Sequence, residues 1–111
     1  VAVAVALLVH RSPYTPIGNI RLDVSAYDGK VVTVHGTVAG SSNLMGVSAY
    51  RLQDDTGQIA VVTRGQIPEV NTGWVVKGRV VAAFVAGPVT SLALLEQSST
   101  AVPSARVNKP D

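Results

Sequence analysis

The chain has 111 residues, of which 47% are hydrophobic and only 14% charged, with a net charge of +2 and no cysteine. That length suits one domain. The sparse charge excludes a highly charged disordered chain, and the missing thiols exclude disulfides, thiolate metal sites and a cysteine nucleophile. The apolar residues are mainly Val and Ala, and the aromatics are Tyr14, Tyr27, Tyr50, Trp74 and Phe84. β-Branched side chains fit a pleated surface, so a Val-rich chain punctuated by Gly favours strands. The mild basic charge permits contact with phosphate but falls short of the dense basic patch of a dedicated nucleic-acid module.

In chain order, Val1 to Val9 is an unbroken Val/Ala/Leu run. It is too short to span a bilayer, which takes about 20 apolar residues. It reads either as the end of the apolar region of an export signal or as a buried or edge strand. The lack of alternation and the Pro-rich spacer Ser12 to Pro16 favour the first reading. That predicts a periplasmic or secreted protein, with membrane contact only if the segment is retained. The predicted organisation is an apolar segment and linker over 1–16, a barrel over 17–97 and a polar tail over 98–111.

From Ile17 to Tyr27 the apolar spacing is mixed, and a short helix, a turn and a first half-strand all fit it. Asp28-Gly29 marks a tight turn. Lys30 to Ala39 alternates strictly, with Val32, Val34, Gly36 and Val38 on one face and Val31, Thr33, His35 and Thr37 on the other. Gly36 inside this strand predicts a bend. Gly40 to Ser48 is rich in Gly, Ser and Asn and reads as a loop carrying Asn43, Leu44 and Met45, where Leu44 and Met45 either meet a partner or cap the open barrel end. Ala49 to Asp54 and Gln58 to Arg64 read as strands joined by a hairpin turn at Asp55-Thr56-Gly57, in which Asp accepts backbone N–H bonds. Tyr50 and Leu52 share the inward face with Ile59 and Val61. Gly65 to Gly73 is a connection too short and too rich in Pro and Gly for a helix. Trp74 to Phe84 alternates again, with Trp74, Val76, Gly78 and Val80 inward, and Val89 to Gln97 is the last strand.

The strings DGKVVTVHGTV, AYRLQDDTGQIAVVT and TGWVVKGRVV carry a resemblance. Gly36-Thr37-Val38, Asp54-Asp55-Thr56-Gly57 and Val76-Lys77-Gly78-Arg79-Val80 resemble, in order and spacing, the bacterial OB-fold domains of the nucleic-acid-binding and tRNA-anticodon-binding-like superfamily. The likeness runs from Ile20 to Glu96. It implies an all-β, five-stranded Greek-key barrel with little helix, and binding of an oligonucleotide or another polyanion. Many such barrels carry a helix between the third and fourth strands. Here Ile20 to Tyr27 is the remaining candidate for closing the barrel bottom. Small exported barrels of the BOF type look similar in having little beyond the barrel.

The chemistry points to binding rather than catalysis. No Ser-His-Asp set, phosphate-cradling Gly loop or metal-hydrolase motif is present, so neither an enzyme activity nor a cofactor is expected. Oligonucleotide binding by this fold uses the face of the second and third strands and the flanking loops. The outward polar residues are Thr33, His35, Thr37, Arg51, Gln53, Lys77 and Arg79, with Arg64 at a strand end. His35, Arg51, Gln53, Arg64, Lys77 and Arg79 are the candidate contacts for single-stranded nucleic acid or another polyanion. An ordinary solvated face produces the same pattern. No aromatic joins this surface, because Tyr50 and Trp74 point inward and Tyr14 and Tyr27 precede the barrel. His35 is expected beside Arg51. The only other imidazole, His10, lies in the linker, so no metal-ligand set forms. The alternative is an exported envelope protein that meets a protein or a small ligand through its loops.

Overall fold

The computed structural model describes residues 13–44 and 47–102. The run Val1 to Val9, His10 and Met45 lie outside the described residues. Two short helices, α1 (Ile17–Leu22) and α2 (Val24–Tyr27), precede five strands: β1 (Val31–Leu44), β2 (Val47–Asp54), β3 (Gly57–Val62), β4 (Gly73–Ala86) and β5 (Val89–Val102). The strands close into a barrel in the order β1-β2-β3-β5-β4. Every pairing is antiparallel except β3 with β5. This is the closed five-stranded all-β barrel that the family resemblance implies. Among the described residues no helix is long and apolar enough to cross a membrane.

Period-two alternation sets which side chains fill the barrel. Val32, Val34 and Val38 of β1, Tyr50 and Leu52 of β2, Ile59 and Val61 of β3, Val76 and Val80 of β4 and Leu94 of β5 form one buried cluster. Trp74 packs against that cluster but stays half-buried. Its indole Nε1 donates to Thr72 Oγ1 at 2.9 Å.

Closing only five strands requires sharp coiling, and β1 supplies it by changing partners. Val31 to Thr37 pairs with β4, and Thr37 to Leu44 pairs with β2. The change falls at Gly36 and Thr37, where the sequence pattern predicts a bend. The backbones approach so closely there that a Cβ on Gly36 would lie 2.6 Å from the Gln53 carbonyl oxygen and 3.0 Å from Leu52 Cγ. β4 repeats the device at Gly78, beside a bulge against β5, where a Cβ would sit 2.5 Å from the Leu95 carbonyl oxygen.

Two segments differ from the sequence expectation. Of the stretch Gly40 to Ser48, expected as a loop, Gly40 to Leu44 belongs to β1 and Val47 and Ser48 to β2, with Gly40 opposite Arg51, Ser41 opposite Tyr50 and Asn43 opposite Ser48. Low strand propensity in Gly, Ser and Asn is overridden here by an antiparallel ladder already in register. The polar stretch after Gln97 likewise continues β5 to Val102, with Ser99, Thr100 and Ala101 opposite Val76, Val75 and Trp74. The barrel therefore extends past 97, because β4 needs a partner along its second edge. Of the readings open for Ile17 to Tyr27, the structure takes the helical one, and residues 65–72 contain no helix.

Helix α1 closes the barrel bottom. Ile17 and Ile20 are one helical turn apart and both are fully buried in the main cluster. Each contributes on the order of 1.5–3 kcal/mol by leaving water. The Asp54 carboxylate at the end of β2 anchors the helix. Its Oδ2 accepts the Ile17 amide at 2.9 Å, and its Oδ1 accepts the Thr56 amide at 2.7 Å, the Thr56 hydroxyl at 2.5 Å and the Gly57 amide at 3.0 Å. Thr56 Oγ1 in turn accepts the Gly18 amide at 2.7 Å. Partial burial pushes the Asp54 carboxyl up, but the hydrogen bonds from Ile17, Thr56 and Gly57 outweigh it and hold the group below its ordinary range.

Two outcomes follow for stability. Gly36→Ala lowers the unfolding free energy by ~1–3 kcal/mol, the usual cost of overpacking. Gly65→Ala, with nothing nearer than 3.8 Å, leaves it nearly unchanged. Urea denaturation of both variants checks the contrast, and equal midpoints would remove Gly36 from the bend. Asp54→Ala costs ~1.5–3 kcal/mol at neutral pH, the range for hydrogen bonds to a charged group. Because the folded-state pKa is depressed, this stability is present above the ordinary value of 3.8 and is lost as pH falls through the lower folded value. The gap between the parent and Asp54→Ala should therefore narrow in acid denaturation curves below about pH 4.

Candidate ligand-binding surface

All six candidate residues, His35, Arg51, Gln53, Arg64, Lys77 and Arg79, are exposed. They do not form one surface, because the barrel distributes them over three regions.

The first region is the outer face of β2 and β3. Arg51 lies opposite Gly40 on one side and Ala60 on the other. Its guanidinium donates to the carbonyls of Ser41 at 3.1 Å and Ala39 at 3.4 Å, which lays the side chain along β1. Gln53 is opposite Gln58, whose amide donates to Gln53 Oε1 at 2.8 Å. Arg21, on the exposed side of α1, donates to the Gln58 carbonyl at 3.2 Å. Arg21, Arg51, Gln58, Ala60, Ser91 and Leu92 line a depression of about 410 Å³. Arg21 lines this depression and is absent from the candidate set. Its helix is only one of several readings of the sequence, so nothing brings it to the barrel until the fold is known.

The second region is the outer face of β1 and β4. Lys77 is opposite Thr33, and Arg79 is opposite Val31. The Arg79 guanidinium donates to the Gly29 carbonyl. His35 belongs here, opposite Val75, and not beside Arg51 as expected. Arg51 pairs with Gly40, roughly 16 Å further along β1 at ~3.3 Å per residue. The His35 ring instead packs on Tyr14, with centroids 5.3 Å apart and the planes at 52°. Thr15 N donates to the Thr33 carbonyl at 2.8 Å, which lays the Pro-rich linker along β1. An aromatic therefore does reach the surface, contrary to expectation. Tyr14 and His35 border a depression of about 300 Å³ whose far wall is the turn Asp54-Asp55-Thr56. Two carboxylates on that wall disfavour a phosphate beside His35.

The third region surrounds Arg64, just past the end of β3. It shares a depression of about 640 Å³ with Phe84 and Glu96. Glu96 looks isolated in the sequence, yet its Oε1 accepts the Tyr50 hydroxyl at 3.0 Å and its Oε2 accepts the Ser99 hydroxyl at 3.1 Å. Burial pushes the Tyr50 hydroxyl well above its ordinary pKa, with the charge and hydrogen bond of Glu96 adding to it. Tyr50 thus stays a protonated donor. Among the described residues no group of three His, Cys, Asp or Glu side chains converges on a metal position.

Solved structures share this barrel. A hypothetical protein from E. coli, YgiW, superimposes with a TM-score of 0.62 at 17% identity, covering 82% of this chain and 91% of its own. An OBody, AM3L15, solved bound to hen egg-white lysozyme, gives 0.56 at 20% identity over 78% of this chain and 88% of its own. Asparaginyl-tRNA synthetase from Pyrococcus horikoshii gives 0.55 at 16% identity over 72% of this chain, but only 21% of the synthetase. At these identities the likeness is one of fold: the chain is an OB-like barrel. No protein-family model matches the sequence, and no curated protein does.

The Tyr50–Glu96 contact gives an alkaline signature. With its folded-state pKa raised, Tyr50 contributes stability that is complete below the unfolded value near 10.0 and falls as pH rises past it. Tyr50→Phe removes that alkaline decline and costs ~1–3 kcal/mol at neutral pH by deleting the hydrogen bond. Thermal melts of both proteins between neutral pH and pH ~11 test it, and parallel pH profiles would count against the assignment.

Proposed function

We propose that the chain is a small non-enzymatic binding module that takes a polyanion, such as single-stranded nucleic acid, on the outer face of β2 and β3. The observation that carries this reading is the depression shared by Arg21 and Arg51, flanked by the amide of Gln58. It lies on the face that OB barrels use for oligonucleotides. Guanidinium groups match phosphate geometry in a planar, bidentate way. Both arginines already rest on backbone carbonyls, so little side-chain freedom remains to be surrendered on binding.

Base stacking does not support this site. No aromatic side chain lines the depression, so the ~1–3 kcal/mol per base that stacking supplies is missing. Binding on this reading is weak, dominated by phosphate contacts and tolerant of sequence. Lys77 and Arg79 form a second, weaker basic patch on β1 and β4. A second reading, contact with a partner protein through the loops, draws on the tip of the β4–β5 hairpin, where Val85 is 64% and Val89 39% exposed.

The test is fluorescence anisotropy of a labelled single-stranded oligonucleotide titrated at several salt concentrations. Affinity should fall steeply with salt. Arg21→Ala with Arg51→Ala should flatten the log–log slope by about 0.7 for each phosphate that is no longer neutralised, whereas Lys77→Ala with Arg79→Ala should change it less. A larger effect from the second pair would move the site to β1 and β4. No binding by the parent protein at low salt would end the polyanion reading.

A further inference from the structure

Strands β3 and β5 touch over only three residue pairs, from Ala60 opposite Ala93 to Val62 opposite Leu95. β3 then stops, while β5 runs on to Val102. The chain leaving β3 is held in a turn in which Gly65 N donates to Thr63 Oγ1 at 3.0 Å. Where the two strands part, the depression of about 640 Å³ opens. Apolar Val62, Phe84 and Leu95 and polar Arg64, Glu96 and Gln97 are among the residues that line it. That volume falls within the ~300–1,000 Å³ of small-molecule sites, which typically combine an apolar wall with a few placed polar groups.

The two charges lining the depression are of opposite sign and are not used on each other. Glu96 is half-buried and takes hydrogen bonds from two neutral hydroxyls, those of Tyr50 and Ser99. Tyr50 is fully buried in the core, so it fixes the carboxylate from behind. A carboxylate held this way has lone pairs left for a further donor. Arg64 makes no hydrogen bond or ion pair with any described residue. A ligand with a single charge would satisfy one of these groups and face a like charge on the other. A ligand with both charges satisfies both.

We propose that this depression binds a small zwitterion with an apolar side chain, either a free amino acid or a dipeptide. Its ammonium donates to Glu96, its carboxylate accepts from Arg64, and its side chain lies against Phe84, Leu95 and Val62. The site stands apart from the Arg21–Arg51 surface and does not depend on the polyanion reading.

The experiment is an NMR titration of the isotope-labelled full chain with four probes. L-Phenylalanine and leucyl-leucine carry both charges, N-acetyl-phenylalanine only the carboxylate, and phenylalaninamide only the ammonium. The zwitterions should shift the resonances of Val62, Phe84 and Leu95. Each singly charged probe should bind roughly tenfold more weakly or worse, the scale of a charge-assisted hydrogen bond. Arg64→Met should erase the difference between phenylalanine and phenylalaninamide. Glu96→Gln keeps an acceptor for Tyr50 and should erase the difference between phenylalanine and N-acetyl-phenylalanine. The relative affinities of phenylalanine and leucyl-leucine distinguish an amino acid from a peptide. No perturbation at these residues, equal binding of all four probes, or charge preferences that survive both substitutions would overturn the site. Oligonucleotide anisotropy with the arginines of β2 and α1 is scored separately, so either proposal can fail without the other.

Discussion

One carboxylate joins the two halves of this molecule. Asp54 ends β2, and within a single side chain it collects the donors of the turn into β3 and the first amide of α1. Without the turn, β3 has no fixed register against β2. Without the amide of Ile17, the helix that carries Ile17 and Ile20 into the barrel has no fixed start. A tight turn and a helix of 6 residues are each too short to be stable alone, and the shared anion makes their formation one event. The charge state of the carboxylate follows from that role: donors on several sides keep it ionised despite partial burial.

Most of the barrel is legible in the sequence because its strands are half-buried, and half-burial writes a period of two into the residues. Val32, Val34, Gly36 and Val38 report the inward face of β1 directly, and Gly36 reports the bend because no other residue fits that close approach. The segments that mislead are those whose structure is imposed by a neighbour rather than by their own residues. Gly40 to Leu44 is rich in poor strand formers and Ser98 to Val102 lacks a clear apolar alternation, yet each lies alongside a strand that needs a partner. The helix at Ile17 to Leu22 is ambiguous because so short a segment gives too few periods to separate 3.6 from 2.

The candidate site is legible in composition and not in arrangement. Alternation places Arg51, Gln53, Lys77 and Arg79 outside the barrel, since inward and outward are local properties. Which outward residues meet is a property of register and curvature. The register shift between Val38 and Gly40, and the exchange of partners by β1, carry His35 away from Arg51 and towards Tyr14. The omissions share that cause. Arg21 lies 37 positions from Gln58, and Glu96 lies 46 positions from Tyr50. Sequence spacing carries no signal at that range.

The shortness of β3 unites both candidate surfaces. Its parallel pairing with β5 spans only Ala60 to Val62, and it leaves a gap at each end of the seam. One gap lies under α1, whose basic Arg21 joins Arg51 there, so it is a shallow cationic surface. The other lies where β5 outruns β3, with Phe84 and the Glu96 carboxylate among the residues that line it. A longer β3 would fill both gaps with backbone. The same topology that makes the fold recognisable therefore makes two concave surfaces of different chemistry, and on the proposed readings the residues at each gap, rather than the barrel itself, set what is bound.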